Sequence, residues 1–128
     1  MRNEHEFQFS ASEISDAAAD EADYHEKRIA YWEDEYEKAI ATVEATASVE
    51  VKRRDITGGQ TVDVVVNYGD YDAYLQMQRA FKKIATHRDA LERFQSDEQV
   101  YATQGDRVYE LSLEDVHYYR LGGGPRED

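Results

Sequence analysis

A chain of 128 residues has room for one hydrophobic core of ordinary size, and not for two. Its 28 Asp and Glu outnumber 15 Lys and Arg, giving a formal charge of −13, which argues against direct binding to a nucleic-acid backbone or to an anionic membrane surface. Without cysteine it has neither disulfides nor thiolate metal ligands, and no stretch approaches the roughly 20 apolar residues that span a bilayer.

Three origins of the acidity compete: ordinary solubilising charge, adaptation to a salty cytosol, and mimicry of the charge of DNA. Lys is scarce beside Arg and the acids are spread along the whole chain, which favours the first two. The first six residues lack the apolar run of a signal peptide. The expected location is therefore intracellular and cytoplasmic, or within a virion assembled inside a cell.

In chain order, residues 6–9 alternate apolar and polar and read as a short strand or a docking arm. Ser10 and Glu13 have capping-box spacing, in which a hydroxyl and a carboxylate each satisfy one free backbone N–H. A long helix follows over about 11–47, a stretch without Gly or Pro. Ala18, Ala22, His25, Ile29, Trp32, Tyr36, Ala39, Val43 and Thr46 recur in alternating steps of four and three, which sets them on one seam. Glu21, Glu26, Glu33, Asp34, Glu35 and Glu37 lie between them as a solvated acidic face.

From Val49 the period changes to two. Val49 and Val51 alternate with Glu50, Lys52 and Arg54; a turn at 57–60 follows, and Val62, Val64 and Val66 repeat the pattern, predicting a β-hairpin. Asp70 is a plausible N-cap for a second helix, with Asp72 well placed against its dipole. The seam of this helix is Tyr74, Met77, Phe81, Ile84, Arg88 and Leu91, widened by Leu75, Ala80, Ala85 and Phe94, as expected of a helix covered on more than one side. Residues 100–103 and 107–111, around a turn at 104–106, predict a second hairpin. Ser112 and Asp115 then resemble a capping box opening a short helix to about Leu121, and 122–128 read as a flexible tail. The expected fold is α+β: one domain over 1–121, two long amphipathic helices packed together with two β-hairpins, in the order α-ββ-α-ββ-α.

No motif identifies a reaction. Glu21 and His25 are four apart on one helical face, a spacing that can ligate a divalent ion, but a carboxylate-rich helix yields such pairs by chance. Ser10, Ser12, Ser48, Ser96 and Ser112 fall near predicted helix ends, where capping accounts for them, and no glycine-rich phosphate loop joins a strand to a helix. No catalytic residue, metal or cofactor is expected.

Lys52, Arg53 and Arg54 form the one run of basic residues. They protect an exposed strand from edge-to-edge pairing, or they dock an acidic partner such as another copy of the chain. Tyrosine is in excess at ten copies, and Tyr68 with Tyr71 and Tyr118 with Tyr119 join the basic trio as candidate interface residues.

The succession of a helix at about 11–47, a hairpin at 49–68 and a helix at about 71–95 resembles, in element order, the small W-type head–tail joining proteins of tailed phages. That resemblance covers roughly two-thirds of the chain and carries no functional residue across. The first helix is longer here, and elements are added after the second. It implies a protein that completes the capsid portal so that a tail can attach. The expected function is thus a non-enzymatic structural or assembly protein, a homo-oligomer or part of a larger assembly, such as a virion head–tail connector or head-completion component. The alternatives are an acidic inhibitor or DNA mimic of the counter-defence kind and, third, a small metal-dependent enzyme.

Overall fold

The computed structural model describes residues 7–46, 51–56, 60–65 and 69–123, with backbone alone for 51–56 and 60–65. Seven elements follow one another: β1 (Gln8–Ser10), α1 (Ala11–Thr46), β2 (Val51–Ile56), β3 (Gln60–Val65), α2 (Tyr71–Ala102), β4 (Val108–Glu110) and α3 (Leu113–Tyr118). The chain is mainly helical, since α1 and α2, of 36 and 32 residues, make up more than half of it. The α+β expectation with two hairpins is therefore corrected, and the order is β-α-ββ-α-β-α.

The second hairpin is what fails. Residues 100–102 are the last turn of α2, and the Thr103 hydroxyl donates back to the Val100 carbonyl at 2.8 Å. The turn at 104–106 exists, with Gly105 at φ 61°, but it joins a helix to a strand. β4 pairs instead with β1 in antiparallel register, Gln8 opposite Glu110 and Ser10 opposite Val108. Backbone hydrogen bonds from Ala11 to Arg107 (2.7 Å) and from Leu111 to Phe7 (2.8 Å) extend that ladder at both ends. The short β-branched and aromatic run had local strand character, but aromatic packing of Tyr101 against the rings of Tyr109 and Tyr119 holds it in helical form.

The helix starts follow the expected chemistry. The Ser10 amide donates to Glu13 Oε1 (3.2 Å) and the Glu13 amide to Ser10 Oγ (3.1 Å), a complete capping box. Asp70 Oδ1 accepts from the Ala73 amide at 3.0 Å, and Ser112 Oγ from the Asp115 amide at 3.1 Å. The first hairpin is present as β2 and β3, antiparallel from Val51–Val65 to Ile56–Gln60. The tail expected at 122–128 falls outside the described residues, apart from Gly122 and Gly123.

The chain divides into two compact units. The first is Met1–Ala30 with Ala85–Asp128, and the second is Tyr31–Ile84. The core of the first unit joins Ile14, Ala18 and Ala22 of α1 to Ala90 and Phe94 of α2, closed by Leu111 and Tyr119. Small residues on that face of α1 let α2 come close enough for the buried Ser15 hydroxyl to donate to the Glu98 carbonyl at 3.2 Å. The core of the second unit is smaller. Trp32, Ala80 and Ile84 are buried with Tyr36 packed against them, and the Arg79 guanidinium lies 5.5 Å over the Trp32 ring. Where α1 ends and α2 begins, the Thr46 hydroxyl donates to the Thr42 carbonyl (2.7 Å) and accepts from the Asp70 amide (2.8 Å). Among the described residues no helix is long and apolar enough to cross a membrane.

Candidate interaction surface

In the first unit, several polar side chains are drawn inward and meet one another. His25 does not join Glu21 as a ligand pair. Its Nδ1 lies 2.8 Å from Nδ1 of the buried His87, one ring donating and the other accepting, while Phe94 stacks on it at 5.7 Å. Glu21, also buried, meets the Arg120 guanidinium at 3.5 Å. The geometry of α3's end explains how Arg120 arrives there. Arg120 sits at φ 52°, its amide donates to the His117 carbonyl and the Leu121 amide to the Val116 carbonyl, the two bonds of a Schellman stop. Glycine normally fills that position, so a non-glycine there costs about 1 kcal/mol.

The Tyr119 hydroxyl donates to Asp97 Oδ2 at 2.9 Å. Burial first, then that hydrogen bond and the Asp97 charge, hold the Tyr119 phenol far above its ordinary range, and burial together with Asp97 also raises Tyr118. A shallow depression of about 370 Å³ beside them is lined by Asp89, Glu92, Arg93, Ser96, Asp97 and Tyr118. Among the described residues no group of three or more His, Asp or Glu is placed to hold a metal ion. Most of these buried groups are paired within the unit, while Arg120 Nε is buried without a hydrogen-bond partner among the described residues.

In the first unit Val100, Val108 and Leu113 also stand in water, and the second unit carries the exposed aromatics. Its small core leaves apolar surface in water: Phe81 is 63 % exposed, Tyr71 65 % and Leu75 44 %. Tyr36, Met77, Gln78, Phe81 and Lys82 line a groove of about 290 Å³, with the Tyr36 and Phe81 rings 6.4 Å apart. Gln78 Nε2 donates to the Tyr74 hydroxyl at 3.1 Å, fixing the groove's polar end. Charge is divided between the two helices of this unit. Residues 73–84 of α2 hold Arg79, Lys82 and Lys83 and no acid, whereas residues 31–46 of α1 hold Glu33, Asp34, Glu35, Glu37 and Glu44 against Lys38 alone. Lys38 is tied to Asp34 (3.0 Å) and Glu35 (3.7 Å), and these carboxylates raise its ammonium above its ordinary range.

The candidate interface residues are distributed as follows. Lys52, Arg53 and Arg54 lie on β2 with their backbones opposite Val64, Asp63 and Val62; their side chains, and Tyr68 altogether, fall outside the described residues. Tyr71 opens α2 in the second unit, exposed and stacked on Tyr74 at 6.5 Å. Tyr118 and Tyr119 belong to the first unit, where both rings pack on Phe94 and Tyr119 is buried. Sequence reading missed the groove and the basic stretch of α2. The signal was an apolar seam through Tyr74, Met77 and Phe81 broader than one neighbouring helix covers, with cations interleaved so that no run of them stands out. No protein-family model, no curated protein and no solved structure matches this chain.

Proposed function

We propose that this protein is a structural, assembly-type component that acts through protein–protein contacts, in several copies, and performs no chemistry of its own. The observation that carries this reading is the apolar face of the second unit, where Phe81 stands 63 % exposed beside Tyr36 and Met77. Phe81, Tyr71 and Leu75 together leave apolar surface of this unit in water, the kind of patch that protein–protein contacts cover. The succession α1, β2–β3, α2 supports a place among head–tail connectors or head-completion proteins, and with it incorporation into a virion.

The acidic-inhibitor alternative calls for an unbroken carboxylate surface. Lys27 on Asp23 (2.9 Å) and Lys38 on Asp34 (3.0 Å) interrupt that surface along α1, which favours assembly over mimicry. The test is absolute mass by light scattering after size exclusion, over a concentration series in dilute and molar salt. A discrete closed oligomer is the expected result. A monomer at every concentration in both salts overturns the reading.

A further inference from the structure

We infer that the Tyr36–Phe81 groove of the second unit is a two-fold self-association face, whose occupant is the same groove of a second copy of this chain. The inference rests on the assembly reading above and adds to it the surface, the partner and the geometry.

Two helices border the groove. α2 contributes Met77, Gln78, Phe81 and Lys82, and α1 contributes Tyr36. On α1, Glu33, Glu37, Ile40 and Glu44 recur at steps of four, three and four, so they share one helical strip. Glu33 stands three residues before Tyr36 and Ile40 four after it, which sets the strip alongside the groove. All three carboxylates are exposed. The floor is therefore apolar, one border acidic and the other basic.

A surface with that pattern is its own complement. A two-fold rotation lays the α2 border of one copy on the α1 border of the other, so every Lys-to-Glu contact is made twice. In this arrangement Phe81 of each copy covers Tyr36 and Met77 of the partner subunit, and Lys82 faces Glu37 of the partner subunit. Other occupants match only half of the pattern. An anionic lipid surface or a nucleic acid meets the acidic strip, and a uniformly basic protein meets Lys82 and the acid-free stretch of α2. The second copy satisfies both borders at once.

The experiment measures dimer dissociation by sedimentation and light scattering for the full chain, with far-ultraviolet circular dichroism and Trp32 fluorescence as folding controls. Phe81→Asp abolishes association, and because that side chain is mostly in water the fold survives. Lys82→Glu and Glu37→Lys each weaken association on the order of tenfold or more, since each creates two like-charge contacts per dimer. An equimolar mixture of these two variants restores it as a heterodimer, because both contacts become complementary again. A wild-type oligomer whose dissociation is unmoved by Phe81→Asp, with the fold retained, overturns the face and leaves the assembly reading standing. A mixture no tighter than either variant alone overturns the two-fold geometry. A wild type that is monomeric throughout overturns both readings.

Discussion

Two phenylalanines thirteen residues apart on α2 offer a direct measure of what each unit contributes. Phe94 is 4 % exposed, stacks on His25 (5.7 Å) and Tyr118 (4.8 Å) and meets the Tyr119 ring edge-on at 6.2 Å. Phe94→Ala removes the transfer free energy of the ring and opens a cavity that such neighbours do not collapse into, for a cost of about 3–5 kcal/mol. Phe81 is 63 % exposed, so roughly a third of its surface is covered. Scaling the same loss by that fraction gives about 1–2 kcal/mol for Phe81→Ala in the monomer. With a urea slope of about 2 kcal/mol per molar, the midpoints fall by about 1.5–2.5 M and about 0.5–1 M. The assay is urea unfolding followed by far-ultraviolet circular dichroism, at a dilution where the chain is monomeric. Equal shifts at the two positions, or a larger one for Phe81→Ala, would refute the assignment of Phe94 to a core and of Phe81 to an uncovered surface.

Three further outcomes are expected. Tyr119 stays neutral in the fold while an unfolded tyrosine ionises near pH 10, so its contribution is complete below about pH 10 and is lost as pH rises, at up to about 1.4 kcal/mol per unit. Unfolding free energies measured across alkaline pH therefore fall more steeply for wild type than for Tyr119→Phe, and parallel slopes would sink the claim. A double-mutant cycle with His25→Phe and His87→Phe gives a coupling of about 1 kcal/mol for the 2.8 Å contact, and zero coupling counts against that bond. If the acidity is a halophilic adaptation, the −13 charge makes the melting temperature climb from dilute to molar salt, where the screening length is about 3 Å; a flat curve removes that explanation.

What could be read in advance divides along physical lines. The α1 seam was legible because helical period and burial coincide: Ala18, Ala22, Ile29, Trp32 and Ala39 are all buried. Caps were legible because they are local, as at Ser10 and Glu13. The end of α2 was not, because a four-residue run of Val, Tyr, Ala and Thr carries no period that separates helix from strand, and the deciding contacts come from Tyr109 and Tyr119. The partner of β4 was equally hidden, since β1 lies at the other end of the sequence. His87 gave no sign of meeting His25, because the two lie 62 residues apart and the pairing depends on how α1 and α2 align. The groove required knowing which apolar residues the small second core leaves over.

The pairing of β1 with β4 also sets an order of events in time. Bringing Gln8 to Glu110 closes a loop of about a hundred residues, at an entropic cost of roughly 4 kcal/mol before any contact repays it. The second unit, Tyr31–Ile84, is one uninterrupted stretch, whereas the first is assembled from both flanks. A ribosome therefore releases everything the second unit needs while the residues that finish the first are still unmade. The residues that line the Phe81 groove are thus made early, and on the two-fold association proposed above, two chains growing side by side on one message could meet before either has joined its own ends.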